Sequence, residues 1–210
     1  MSSVAVLPAD PAANAAVRTV VHKFGGTSVA DAERYRHVAQ LLLAREETVQ
    51  VTVVSAMKGV TDALIGLAKA AAAADPAWDE RWHELRARHR GAAAALLGEQ
   101  SGVTIEWLDA RFERLREILA ALAVIGELPQ EVLDRVQGLG EVFSAHLLGH
   151  HLQALGEDAD VLDARDVLVV NHGDLGVDVD WKSSAAKLGL WRETHPARRL
   201  VVTGFVARDR

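Results

Sequence analysis

Two kinds of apolar pattern alternate along the chain. Val17 to Phe24 is a Val-rich run that stops at Gly25-Gly26, and Val49 to Ser55 is a second short, nearly continuous one; both read as buried strands. Between them, Ser28 and Asp31 form an S-x-x-D pattern ahead of Tyr35, Val38, Leu41 and Leu42, which predicts a capped helix and so a βαβ unit. After the Gly59 turn, helices are expected from about Asp62 to Ala74, from Trp78 to Leu97, and from Ile105 to Leu122. The last shows Ile105, Leu108, Phe112, Leu115 and Leu119 at spacings of three and four. Pro129 is expected at the first position of a further helix, whose stripe Val132, Leu133, Val136, Val142, Phe143 and Leu147 runs past Gly138 and Gly140. Ala159 to Leu162 and Val167 to Val170 read as strands, Ser184 to Trp191 as a helix, and Leu200 to Val206 as a last buried strand. Strands separated by helices predict an α/β fold with a mostly parallel sheet and helices on both faces.

Composition narrows the possible functions. At 210 residues the chain is long enough for one large domain with its own core, and its zero cysteines exclude a disulfide scaffold, a thiolate metal site and a cysteine nucleophile. A reducing cytoplasm fits. Lys and Arg number 23 against 29 Asp and Glu, a net charge of −6, so the basic field that nucleic acid requires is missing. No apolar run approaches the ~20 residues of a membrane span, so neither nucleic acid nor a membrane is an expected partner. Residues 1–18, rich in Ala, Pro and Ser, read as a mobile tail ahead of a domain over 19–210.

The richest local chemistry lies in Lys23-Phe24-Gly25-Gly26-Thr27-Ser28, which puts a lysine at the carboxyl end of a strand, two glycines in a turn and two hydroxyls at an expected helix start. In open α/β sheets ligands bind at that edge. Glycines let backbone N–H groups approach a phosphate, and a helix N-terminus adds partial positive charge. The lysine precedes the glycines, so this is no Walker A loop. On spacing alone, a tight turn beside a solvated lysine reads equally well.

The segment Lys23 to Val29 resembles the opening signature of aspartate kinases in the amino-acid kinase family. The resemblance continues in family order through Ser55-Ala56-Met57-Lys58-Gly59-Val60-Thr61-Asp62, Gly140 to Ala145, Leu162-Asp163-Ala164-Arg165 and Val202 to Val206. It implies a three-layer α/β/α sandwich, the amino-terminal lobe of the kinase fold. It also implies transfer of the ATP γ-phosphoryl to the side-chain carboxylate of L-aspartate with Mg2+, giving 4-phospho-L-aspartate on the route to lysine, threonine and methionine. By this resemblance Lys23 sits over the transferring phosphoryl, and Gly25, Gly26 and Thr27, with Ser28 beside them, face its oxygens. Ser55 and Thr61 contact aspartate, and Glu141 holds its ammonium. An ionised acceptor carboxylate needs no general base, so the difficulty is bringing two anions together, which a lysine and oriented N–H groups address.

Aspartate kinases continue beyond the position of Arg210 into a glycine-rich segment, a nucleotide-binding half and regulatory domains. The expectation is therefore a substrate-side lobe without activity of its own, in a family whose full-length members are expected to form homo-oligomers. The helical middle and Gly126-Glu127-Leu128-Pro129 resemble the kinase part of bifunctional chains fused to homoserine dehydrogenase or diaminopimelate decarboxylase. Two alternatives compete: a relative with a different acid acceptor, which a carboxylate for an α-ammonium disfavours, and a non-catalytic aspartate-binding remnant. His146, His150 and His151 lack the H-E-x-x-H pattern and read as helix-surface histidines, so no metal ligand is expected. Gly138-x-Gly140 lacks a dinucleotide fingerprint. Asp174, Asp178 and Asp180 read as a solvated acidic loop or edge strand, and Ser55 has no triad partner in sight.

Overall fold

The computed structural model describes residues 18–45, 49–173, 176–204 and 208–209. Residues 1–17 of the expected tail, Asp174 and the Phe205-Val206 end of the last expected strand lie outside the described residues. Strand β1 (Thr19–Phe24), helix α1 (Ala32–Leu43) and strand β2 (Val49–Val54) form the expected βαβ unit, with β1 and β2 parallel and Phe24 opposite Val54. Then come α2 (Val60–Ala72), α3 (Ala77–Leu97), a 3-10 turn (Gly98–Ser101), α4 (Gly102–Ile125), α5 (Gln130–Gln137) and α6 (Leu139–Ala154). The chain returns through β3 (Ala159–Leu162), α7 (Ala164–Val167), β4 (Val169–Gly173), β5 (Gly176–Val179), α8 (Trp181–Thr194), β6 (Arg199–Thr203) and β7 (Arg208–Asp209). The main sheet is wholly parallel in the order β1-β2-β6-β3, and a smaller sheet runs β5-β4-β7.

Strand order fixes the layers. The β1-to-β2 and β2-to-β3 connections cross the sheet in one direction and the β3-to-β6 connection runs back, so right-handed crossovers put α1 to α6 on one face and α8 on the other. On the first face Gln50, Thr52 and Val54 are buried, and α6 lies so close to β3 that a Cβ at Gly149 would stand 2.2 Å from Val161 Cγ2. The opposite face is thinly covered along β1, where Val21 is 65% exposed.

Three local expectations need correction. Helix α1 starts at Ala32, with Asp31 as its cap accepting from the Arg34 N–H at 2.9 Å, while the Ser28 N–H closes a turn on the Gly25 carbonyl. The α1 dipole therefore does not act at the glycines. Pro129 is the N-cap of α5 rather than its first residue, because its extended ψ of 142° precedes the helix, and Gly138 divides the stripe between α5 and α6. Asp163 caps the short α7 through the Arg165 N–H, so the strand expected from Val167 begins at Val169. Strand β6 pairs on both sides, in keeping with a buried strand, which makes β1 and β3 the edges of the main sheet.

The helical layer closes on an aromatic cluster. Trp82, Phe112 and Phe143 are buried, Phe112 stacks on Phe143 at 4.8 Å, and the Trp82 indole N–H donates to the Phe112 carbonyl at 2.9 Å. His89 is fully buried against both phenylalanines, its Nδ1 facing the Leu85 carbonyl at 2.8 Å and its Nε2 without a partner. Burial pushes its pKa down to about 4, against a weaker upward pull from the Leu85 carbonyl. The unfolded chain takes up this proton first. Stability should therefore fall as pH drops from 6.5 toward 4, by about 3 kcal/mol from His89 alone. Urea midpoints measured across that range should show a flatter pH slope in His89→Leu; an unchanged slope would mean that His89 takes up its proton equally in the folded and unfolded states.

Candidate functional site

At the carboxyl ends of β1, β2 and β6 the chain leaves an open cleft of about 560 Å³. Lys23 lines it from the end of β1, with Gly26 and Thr27 from the following loop. Ser55 through Gly59 come from the loop after β2, Thr61 and Asp62 from the first turn of α2, and Glu141 from the first turn of α6. Gly204, just after β6, completes the rim.

These loops meet at backbone distance. A Cβ at Gly26 would stand 2.8 Å from the Ala56 carbonyl oxygen, so any larger residue there pushes the neighbouring main chains apart. From the other side, a Cβ at Gly140 would stand 2.6 Å from the Ala56 Cβ and 3.2 Å from Val60 Cγ1. Gly59 takes a left-handed φ of 77° to turn the chain into α2, and the Val60 N–H closes the turn on the Met57 carbonyl at 2.9 Å. No side chain caps α2, which leaves its first N–H groups facing the cleft as partial positive charge.

Glu141 is only 5% exposed. Burial raises its pKa, and hydrogen bonds from the Ala56 N–H and its own N–H pull the other way. It is thus a buried carboxylate at the floor of a cleft whose rim carries Lys23 and Lys58, both exposed. Such a site has charges of both signs for a small zwitterion or anion.

Six of the eight residues singled out from sequence, Lys23, Gly26, Thr27, Ser55, Thr61 and Glu141, line this cleft. Gly25 and Ser28 do not; the turn that Ser28 closes on Gly25 carries them to the outer side of the loop. Lys58, Gly59 and Asp62 line it without having been singled out, although all three stand in the Ser55 to Asp62 block. Gly204 becomes visible only when β6 is paired beside β2, where its N–H donates to the Val54 carbonyl at 2.9 Å.

The histidines of α6 are not surface groups. His151 is buried, with Arg36 of α1 and Leu96 of α3 beside it. The α4 helix packs over the other two: the His146 ring lies tilted against Trp107 at 3.8 Å, and His150 shares a 2.8 Å hydrogen bond with Thr104. Among the described residues no group of three or more His, Cys, Asp or Glu could hold a metal ion.

A parallel α/β sheet with glycine-bearing loops, an exposed lysine and a buried carboxylate at its strand ends has the architecture in which open α/β proteins take small ligands. Residues 18–210 match the amino acid kinase family, and the chain belongs to it. It is 35% identical over 189 residues to the chloroplastic bifunctional aspartokinase/homoserine dehydrogenase 1 of Zea mays, covering 89% of this chain and 20% of that protein. It is 33% identical over 190 residues to the bifunctional aspartokinase/homoserine dehydrogenase 2 of Escherichia coli K12, covering 90% of this chain and 23% of that one. The chain thus spans about a fifth of the length of these curated relatives. The crystal structure of E. coli aspartokinase III in complex with aspartate and ADP superposes with a TM-score of 0.78 at 25% identity, over 91% of this chain and 42% of that one.

Two outcomes follow from the cleft geometry. Gly26→Ala should destabilise the fold by about 1 to 3 kcal/mol, since the clash is with a carbonyl and not with a movable side-chain tip; a melting temperature equal to that of the parent would show that the loops separate freely. A carboxyl whose pKa burial raises opposes folding when ionised, so Glu141→Gln should stabilise the ligand-free chain at pH 8. That gap should close once the pH is below 4.5. Chemical denaturation at the two pH values decides it, and a glutamine variant less stable at pH 8 would mean that the hydrogen bonds outweigh burial.

Proposed function

We propose that this cleft binds L-aspartate beside the γ-phosphoryl of ATP, as the aspartate-side lobe, residues 19–210, of an aspartokinase that makes 4-phospho-L-aspartate for lysine, threonine and methionine synthesis. The observation that carries the reading is the buried Glu141 opening on the same cleft as Lys23. A carboxylate held out of water is costly unless it meets a cation, and the α-ammonium of an amino acid is a fitting one. In support, related chains are named aspartokinases, and a solved relative holds aspartate and ADP.

In this reading Glu141 holds the ammonium, while Ser55 and Thr61 hydrogen-bond the rest of aspartate and leave its side-chain carboxylate pointing to the phosphoryl. That carboxylate, ionised at neutral pH, forms the new O–P bond as the bond from the γ-phosphorus to the ADP oxygen breaks, and no proton has to be removed. Lys23, the Gly26-Thr27 backbone and the bare N-terminus of α2 offset the charge of the phosphoryl in transit. The uncapped α2 terminus and the glycine at closest approach fit a phosphate end. The Mg2+ that accompanies ATP is assigned no ligand among the described residues.

Calorimetry on this chain tests the reading with L-aspartate and succinate, which differ by the ammonium alone. L-Aspartate should bind and succinate should bind far more weakly. Glu141→Gln should weaken L-aspartate by about 2 to 5 kcal/mol and erase the discrimination. Lys23→Ala should change aspartate affinity much less. Equal binding of the two diacids by the parent chain would overturn the assignment of Glu141 and, with it, of an amino-acid substrate.

A further inference from the structure

Arg88 stands on α3, far in sequence from both loops of the cleft. A single terminal nitrogen of its guanidinium, Nη2, donates to the Lys58 carbonyl at 2.9 Å and to the Ala30 carbonyl at 3.2 Å. The first acceptor lies in the loop after β2, one residue before the left-handed Gly59; the second lies in the loop after β1, just before the cap of α1. At their inner ends these loops already touch, with a Gly26 Cβ position 2.8 Å from the Ala56 carbonyl oxygen and 3.6 Å from Lys58 Cα. At their outer ends no backbone hydrogen bond joins them among the described residues, and the bridge is Arg88.

We propose that Arg88 is a positioning residue that clasps the two loops of the cleft, fixing Gly26-Thr27 against Lys58-Gly59. Its two donated hydrogen bonds are charge-assisted, and each satisfies a carbonyl that no helix or strand uses. Because α3 is anchored by the buried Trp82, Leu85 and His89 on its inner face, the guanidinium has a rigid base. The clasp thereby connects the helical layer to the mouth of the cleft. Loss of the clasp leaves the floor, Glu141 and Ala56, in place while the rim widens.

Arg88→Met keeps most of the stem and removes both donors; Arg88→Ala removes the stem as well. In hydrogen–deuterium exchange, segments 25–31 and 56–60 should open together by about tenfold in Arg88→Met, equivalent to about 1.4 kcal/mol, while the α4 segment 104–122 keeps its protection. L-Aspartate should bind about tenfold more weakly to the same variant. No change in either loop, a change in only one, or loosening in Arg88→Ala without loosening in Arg88→Met would overturn the clasp. The binding arm rests on the aspartate reading above, and Glu141→Gln is its control. If Glu141→Gln weakens aspartate and Arg88→Met does not, the positioning role is wrong. If neither variant moves aspartate, the reading of the cleft fails, and the paired exchange of the two loops alone decides the clasp.

Discussion

Three loops of the cleft converge on the peptide of Ala56. Its N–H is taken by the buried Glu141 carboxylate, its carbonyl oxygen lies where only a glycine at position 26 leaves room, and its Cβ lies where only a glycine at position 140 does. Two of these contacts hold the first turn of α6 against the loop after β2, and the third holds the loop after β1 against it. The charges around the cleft have defined positions only because these backbones cannot slide past one another. A methyl group at either glycine would force the neighbouring segments apart, and no rotamer change could absorb it.

The helical layer holds this junction from behind. Helix α6 is buried on nearly every side, between the sheet and the α3–α4 pair, and it carries Glu141 at one end. Its polar groups are satisfied locally where they can be, as in the 2.8 Å hydrogen bond between the Tyr35 phenol and Ser144, and burial raises the phenol's pKa. Imidazole nitrogens are the exceptions among the described residues: His89 Nε2 inside the aromatic cluster, and His146 Nδ1 and His151 Nδ1 on α6 itself, have no hydrogen-bond partner, which makes the layer sensitive to acid. At the opposite end of the sheet, Arg199 is similarly enclosed. It donates to Glu157 at 2.7 Å and to the Leu42 carbonyl at 3.1 Å, tying β6 to the end of α1.

Charge in the cleft is arranged by depth. Lys23 and Lys58 sit at the exposed rim, where water screens them and a multiply charged anion can reach them, while the carboxylate sits at the floor. In the proposed reading, this arrangement separates the two ends of the aspartate zwitterion. It is also why the N-terminus of α2 matters more than that of α1. A side chain, Asp31, caps α1, whereas α2 opens into the cleft from an uncapped glycine.

The sequence by itself determined the order of elements and most of the cleft. Val-rich runs and spacings of three and four residues are local signals, and Lys23, Gly26, Ser55, Thr61 and Glu141 stand in short blocks that resemble those of one family. The tertiary structure decided what depends on elements meeting. The cap of α1 falls on Asp31 because Ser28 is drawn into a turn with Gly25, and β6 lies inside the sheet because the connection from β3 runs back across it. Likewise, His146 and His150 of α6 are covered because α4 packs over them. Arg88 reaches two carbonyls 58 and 30 positions away from it in the chain. No local pattern encodes that distance, because a hydrogen bond between remote segments is fixed by how whole helices pack and not by the residues beside it.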